Sequence, residues 1–363
     1  MGFRCGIVGL PNVGKSTIFN GLTAAAAEVA SYPFCTIEPN VGIVPVPEAR
    51  FDALVRLIKP KKVTPTTFEF VDIAGLVKGA NKGEGLGNQF LGHIRDVDAI
   101  AHVVRCFADS DIAHTYGTID PRRDVEVVTT ELILADLDVV DRRFEKVKRL
   151  LRVGEKGAEE ESRLLEEIKE YLDRGQGARK FVEGAKIPLP SDLRLLTALP
   201  TFYVANVDDP GKTTDNQYVK DLQELAQAEG TAVVVIAGKL EAEVAQLKEG
   251  EQEEFRQELG FEDSGLKRLI QVGYDILGLI TFFTMVNQDL RAWTIPQGTP
   301  ALQAAGKIHS DMERGFIKAE VVSFDDLIQC GSEHSAKEKG LLKVHGKDYV
   351  VQDGDIIHFR FNV

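Results

Sequence analysis

The sequence predicts an α/β P-loop domain, a mostly parallel sheet with helices on both faces. It carries an inserted helical hairpin and a small C-terminal α+β module. Three observations predict this. Short apolar runs alternate with helical patterns over most of the first 280 residues, as in parallel strands joined by crossover helices. A glycine-rich string, Gly9-x-x-x-x-Gly14-Lys15-Ser16, sits between the first such strand and the first helix. The alternation is interrupted twice, between about 125 and 195 and again from about 280.

The elements follow in order. Phe3–Val8 is long enough for a buried strand, and the helical stretch behind the glycine string runs through Ala27. Val41–Val46, Thr67–Val71, Ala99–Phe107, Thr201–Ala205 and Thr231–Ala237 read as further strands, with helical patterns such as Asp221–Ala228 between several of them. Ile133, Leu137, Val140, Phe144, Val147 and Leu151 recur at spacings of 4, 3, 4, 3 and 4, which is a coiled-coil seam. Gly154 and Gly157 break it, and Leu165, Ile168 and Leu172 resume it, so the stretch reads as an antiparallel helical hairpin. Its first arm is basic (Arg142, Arg143, Lys146, Lys148, Arg149, Arg152) and its second acidic (Glu159, Glu160, Glu161, Glu166, Glu167, Glu170). Further on, Phe282–Val286 and Arg291–Ile295 read as a strand pair, Thr299–Ile308 as a helix and Ile317–Ser323 as extended. Lys347–Val351 and Ile356–Phe361 flank a turn at Gln352-Asp353-Gly354-Asp355. The expected domains are 1–125 plus 196–279 for nucleotide binding, 126–195 for the inserted hairpin and 280–363 for the C-terminal module.

Composition narrows the function classes. The 363 residues are 44% hydrophobic and 27% charged, ordinary for a soluble protein with real cores. No run of 18 apolar residues exists to span a membrane. The start, Met1-Gly2-Phe3-Arg4-Cys5-Gly6, has no charged leader followed by an apolar stretch, so a cytosolic protein is expected. Cys5, Cys35, Cys106 and Cys330 are scattered and form no C-x-x-C pair, which argues against a disulfide framework or a zinc site. A net charge of −13 argues against general coating of nucleic acid but permits one basic patch on an acidic body.

The glycine string has the chemistry of a phosphate cradle. Its glycines let backbone N–H groups of Asn12, Val13, Gly14, Lys15, Ser16 and Thr17 wrap phosphates at the positive end of the following helix. Lys15 neutralises β- and γ-oxygens, and the Ser16 hydroxyl binds Mg²⁺. Asp72-x-x-Gly75 ends a later strand and places a carboxylate near that ion through water, with a glycine amide near the γ-phosphate. Thr36 lies between these motifs, where its hydroxyl can reach Mg²⁺ and its amide the γ-phosphate. Five glycines within Gly75–Gly87 suit a segment that a ligand orders.

Gly9-Leu10-Pro11-Asn12-Val13-Gly14-Lys15-Ser16-Thr17, Asp72-Ile73-Ala74-Gly75-Leu76-Val77-Lys78-Gly79-Ala80 and the glycine stretch closely resemble the Obg-related NTPases, and in detail the YchF family. The resemblance extends along essentially the whole chain. It implies Mg²⁺-dependent ATP hydrolysis, often with GTP also bound, association with the ribosome or its large subunit or RNA, and a C-terminal β-grasp module of TGS type. Leu76 stands where Ras-like GTPases carry a water-orienting glutamine, so hydrolysis needs another group. The resemblance assigns that role to His114, in the polar loop after the strand ending at Phe107, a loop that faces the ligand crevice of an α/β sheet. Asn12 occupies the position that related NTPases use for a monovalent cation such as K⁺.

Base recognition departs from the GTPase N-K-x-D pattern. The corresponding stretch is Asn206-Val207-Asp208-Asp209, followed later by Ala237-Gly238-Lys239. Val207 removes the lysine stem that packs on guanine, whereas Asp209 keeps the guanine-reading carboxylate. Asn206 is expected to accept from the adenine N6 amine and Val207 to line the base. Three functions stay open: an ATPase whose nucleotide state controls binding to the translation machinery, a GTPase of the same fold, and a ribosome-binding module with nucleotide as a structural ligand.

Overall fold

The structure is a computed structural model that describes residues 3–29, 40–73, 96–185, 189–190, 192–209, 211, 215–247, 249–258 and 264–362. Its strands are β1 (Arg4–Val8), β2 (Val41–Pro45), β3 (Lys62–Thr64), β4 (Thr67–Asp72), β5 (Ala99–Arg105), β6 (Thr201–Asn206), β7 (Val233–Ile236), β8 (Leu279–Val286), β9 (Asp289–Pro296), β10 (Phe316–Ser323), β11 (Lys343–His345) and β12 (Asp355–Phe361). The chain divides into two compact units, 1–44 with 69–273, and 45–68 with 274–363.

The first unit is built on a sheet ordered β2-β4-β1-β5-β6-β7. β1 pairs in parallel with β4 and β5, β5 with β6, and β6 with β7. Every residue of β5 is buried, as expected of a parallel strand covered on both faces. Cys106, Val125, Tyr203, Val207, Val219 and Leu222 form one core on this sheet beneath the helix Gln217–Glu229. The P-loop connects β1 to the helix Lys15–Val29, so a ligand would sit beyond the carboxyl ends of β1, β4, β5 and β6.

The insertion is not a separate attachment. One helix, Pro121–Arg152, begins at the N-cap Asp120, which accepts from the Arg123 N–H, with Pro121 in its first turn. Its first turns bury Val125 and Val128, while Ile133, Val140 and Val147 continue the same apolar face into the insertion core. There they meet Leu165, Ile168 and Leu172 of the helix Ala158–Asp173. The expected boundary at 125/126 therefore falls inside a continuous helix. Two additions were not foreseen: a short helix, Arg179–Gly184, and a return segment in which Leu193 and Leu195 join the core. The fully buried Asp136 fastens that return by accepting from Leu196 N–H (2.7 Å), Thr197 N–H (2.9 Å) and Thr197 Oγ1 (2.6 Å).

The second unit holds a sheet ordered β11-β10-β12-β8-β9-β3. β8 and β9 form an antiparallel hairpin across Asn287 and Gln288, both at positive φ as a type I′ turn requires. β12 is parallel to β8 and antiparallel to β10, the β-grasp arrangement. The helix Ala301–Ile308 covers one face through Ala301 and Ala304. The helix Ala49–Ile58 covers the other, with Phe51 against Phe283 at 6.2 Å. Residues 45–68, expected in the nucleotide domain, belong here because β3 extends the sheet beside β9 and this helix closes its core. The expected strand at Lys347–Val351 is absent, and β11 takes its place beside β10, leaving only an isolated bridge at Val350. Among the described residues no helix is long and apolar enough to cross a membrane.

Candidate functional site

The loop after β1 turns through Gly9 (φ 154°), Asn12 (φ 62°) and Gly14 (φ 97°). A side chain at Gly9 would strike the Val103 carbonyl, and one at Gly14 would strike Asn206 Nδ2, so close approach demands glycine at both. The Val13 side chain is buried. Ser16 is exposed and Thr17 half-buried in the first turn of the helix.

Lys15 is only 7% exposed, and its Nζ donates to the Leu10 carbonyl at 2.8 Å. Burial pushes its pKa down to about 8, and the Asp72 charge opposes that shift. His102 lies in β5, its pKa driven to about 3 by burial and then by the charge of Lys15, so it is neutral. Ser16 Oγ donates to Asp72 Oδ2 at 3.1 Å. The other oxygen, Asp72 Oδ1, is buried with no hydrogen-bond partner among the described residues. A hydroxyl and a carboxylate with one orphaned oxygen suit a hard divalent cation, so these residues fit Mg²⁺. The expected partners Thr36 and Gly75, and Leu76 beside them, lie outside the described residues.

The base-recognition stretch is arranged differently from expectation. The Asn206 amide is engaged within the protein. Its Nδ2 donates to the Val13 carbonyl at 2.8 Å and its Oδ1 accepts from the Gly238 N–H at 3.0 Å, at 5% exposure. It braces the P-loop against the Ala237-Gly238-Lys239 turn, since a buried amide needs both partners. Val207 does not line the base with its side chain, which is 3% exposed and packed into the sheet core. Asp209 Oδ1 accepts from the Gly211 N–H at 2.9 Å within its own turn.

His114 lies in the loop between β5 and the long helix, and its side chain is 6% exposed. Its Nε2 meets Asp124 Oδ2 at 2.8 Å, and its Nδ1 accepts from the Tyr116 N–H at 3.2 Å. The loop is fastened from below and from the P-loop. Arg105, 1% exposed, donates to the carbonyls of Phe107 (3.1 Å), Asp109 (3.0 Å) and Ile112 (2.9 Å). Asn12 Nδ2 donates to the Ala113 carbonyl at 3.2 Å, one residue before His114. Arg105 and Asp124 were not singled out from sequence. The signal for Arg105 was an arginine inside an apolar strand, whereas Asp124 looks like any acid in a helical first turn.

The basic arm is partly neutralised within the insertion. Arg143 pairs with Glu161 and Asp192, each at 2.5 Å, and Lys148 with Glu145 on its own helix at 2.9 Å. Lys146, Arg149 and Arg152 are exposed, and among the described residues no ion pair engages them.

Known proteins share this sequence and fold. Residues 4–132 match a family model described as "50S ribosome-binding GTPase". Residues 279–362 match the YchF-GTPase_C model, described as "Protein of unknown function (DUF933)". The chain is 50% identical over 364 residues to the "Ribosome-binding ATPase YchF" of Pasteurella multocida, with 100% of both chains covered. It is 51% identical over 367 residues to the protein of that name from Bacillus subtilis, again with 100% of both covered. Among solved structures it is similar to the Schizosaccharomyces pombe YchF GTPase, with a TM-score of 0.86 and 35% identity over 99% of this chain and 97% of that one.

Proposed function

The chain belongs to the YchF family, and from that membership we propose that it is a ribosome-associated ATPase that uses nucleotide state to regulate its binding to the translation machinery. The observation that carries the hydrolase reading is the incomplete bonding of two charged groups in the crevice. Lys15 is buried with a carbonyl for a hydrogen-bond partner, and Asp72 Oδ1 is buried with none among the described residues. A triphosphate answers the first charge and its metal the second. Mg²⁺ would be held by Ser16 and Thr36, with Asp72 behind it through water, and would neutralise charge on the β- and γ-phosphates. In hydrolysis the water oxygen bonds to the γ-phosphorus. The bond to the β,γ-bridging oxygen breaks, its electron pair leaves with ADP, and the water's proton passes to the departing phosphate.

His114 is the group proposed to orient that water. Both ring nitrogens are engaged in this structure, so turnover requires the loop to release one of them. His114→Ala is expected to bind ATP nearly as well as the parent and to lose most turnover, because the residue acts on the transition state. Parent-level turnover in that variant contradicts the assignment.

Adenine preference is supported by Val207, which cannot supply a lysine stem, and by Asp209, whose Oδ1 caps its own turn. Titrating nucleotide-free protein with ATP and GTP at fixed Mg²⁺ is expected to favour ATP. GTP binding tenfold tighter, about 1.4 kcal/mol, would make Asp209 the working residue and the protein a GTPase. The K⁺ requirement rests on Asn12 alone, and equal turnover in KCl and NaCl would remove it.

The ribosomal contact is proposed to use the C-terminal module and the exposed end of the basic arm. Lys146, Arg149 and Arg152 are better candidates there than Arg143, which serves Glu161 and Asp192. Charge reversal at Arg149 and Arg152 is expected to weaken ribosome co-sedimentation more at low salt than at high salt. Unchanged pelleting takes the arm out of the interface.

A further inference from the structure

The two contacts on the His114 ring differ in chemical sense. The Tyr116 backbone N–H can only donate, so Nδ1 is the unprotonated nitrogen. The proton of the neutral ring is therefore on Nε2, where Asp124 Oδ2 accepts it at 2.8 Å. Asp124 is itself held firmly. Its side chain is 3% exposed, in the first turn of the helix Pro121–Arg152. Its second oxygen, Oδ1, accepts from Arg123 Nη2 at 3.0 Å and Nε at 3.3 Å. Arg123 also donates to the Thr118 carbonyl (2.5 Å) and Thr118 Oγ1 (2.9 Å), and its guanidinium lies 5.0 Å from the centre of the Tyr116 ring. One network thus joins the helix start to both sides of the histidine.

We propose that Asp124 is the positioning residue of His114: by accepting the Nε2–H it fixes the tautomer, so that Nδ1 is the lone pair that meets the attacking water. The proposal rests on the reading of His114 as the water-orienting group. Of the two ring contacts, the one to Tyr116 is the longer and joins two neutral groups, whereas the one to Asp124 is charge-assisted. When the loop moves, the Tyr116 N–H is the contact to give way. That frees Nδ1 while the carboxylate still holds the far side of the ring. No proton changes hands in this step. The water donates a hydrogen bond to Nδ1 and turns its oxygen lone pair toward the γ-phosphorus.

Arg123 makes the proposal sharply testable. It can only donate, so in Asp124→Asn it draws the amide oxygen to itself and leaves the amide N–H₂ facing His114 Nε2. Nε2 must then be unprotonated, the ring proton moves to Nδ1 at the expense of the weaker Tyr116 contact, and the lone pair for water is lost. The experiment is ¹⁵N NMR of histidine-labelled, nucleotide-free protein alongside steady-state ATPase kinetics of the full chain. The parent is expected to show a protonated Nε2 on His114. Asp124→Asn is expected to show a protonated Nδ1, a kcat reduced at least ~100-fold and a KM for ATP within about threefold of the parent. Adding Arg123→Ala to Asp124→Asn lets the amide turn over and is expected to restore the Nε2–H tautomer and part of kcat, a rescue that a purely structural role would not give.

A protonated Nδ1 in the parent overturns the proposal without any variant. So does parent-level turnover in Asp124→Asn. Faster turnover in that variant overturns it too, and makes Asp124 a latch that parks the ring. His114→Ala separates the two layers. If it keeps parent turnover, the catalytic reading of His114 itself fails. If it is inactive while Asp124→Asn is active, only the role of Asp124 fails.

Discussion

The C-terminal unit and the phosphate crevice of the nucleotide unit treat charge in opposite ways. In the C-terminal unit, Arg50 is gripped by two carboxylates, Glu48 at 2.6 Å and Asp353 at 2.8 Å, and its pKa is raised by them. Asp353 also accepts from the Thr281 N–H at 2.9 Å, which joins residues 45–68 to the β-grasp sheet. Glu320 lies between Arg360 (2.8 Å) and Lys318 (2.9 Å), and those two partners pull its pKa down to about 2. At the phosphate crevice of the nucleotide unit the buried charges have no ion-pair contact among the described residues, whereas Asp124 is paired with Arg123 at 3.0 Å. Lys15 has a carbonyl, and among the described residues Asp72 Oδ1 has nothing. A charge answered by an opposite charge of the same chain holds the fold. A buried charge with a single neutral partner, or with an orphaned oxygen, beyond the ends of the strands marks where a charged ligand belongs, whereas the multiply bonded Asp136 and Arg105 hold backbone in place.

The largest test of this contrast is Lys15→Ala. ATP affinity is expected to fall by at least ~100-fold, read by calorimetry, because a charge-assisted phosphate contact is lost. Stability in urea is expected to hold or rise, because the variant removes a buried ammonium whose protein partner is a single carbonyl. A loss of stability equal to the loss of affinity would break the comparison. Asp72→Asn comes next. The increase in ATP affinity on adding Mg²⁺ is expected to shrink about tenfold, since a neutral amide holds a metal-bound water, and balances the cation's charge, less well than a carboxylate.

Arg50→Ala is the mirror image. ATP affinity is expected to stay at the parent value while stability falls by about 1–2 kcal/mol, a figure discounted because 28% of the side chain is exposed. Unchanged urea denaturation would show that the clamp does not hold the second unit together. The smallest effect is in pH. Lys15 titrates near 8 without ligand, and bound phosphate favours its protonated form, so binding takes up a proton above that pH. ATP affinity is expected to be flat below pH 8 and to fall by up to about tenfold for the next unit. The stability of the nucleotide-free protein should move the other way. The unfolded lysine, near 10.5, holds its proton where the folded one does not, so stability rises with pH between about 8 and 10.5.

How much of this was legible depended on where the partners lie in the chain. The phosphate cradle could be read directly because its chemistry needs particular residue types at fixed spacing along one contiguous stretch, Gly9 to Thr17. The pairing of Ser16 with Asp72 followed from motif order, and the structure places them 3.1 Å apart. The bracing role of Asn206 was not legible because its two partners, Val13 and Gly238, are 193 and 32 residues away, and only the fold brings them to opposite ends of one amide. The transfer of residues 45–68 to the C-terminal unit was hidden for the same reason, since β3 pairs with β9 more than 220 residues later. The apolar seam from Ile133 to Leu151 was legible, but not that its helix starts at Pro121 inside the nucleotide unit. A periodic pattern gives the buried face of a helix and not which core it enters.

The most direct measurement is amide hydrogen exchange with and without ATP and Mg²⁺, read peptide by peptide. The account predicts slowed exchange in residues 9–17 and around Asp72, where the unanswered charges lie, and unchanged exchange in β8, β9, β10 and β12, where charges are already paired. Protection confined to the C-terminal sheet, or unaltered exchange in residues 9–17 at saturating ATP, would contradict it.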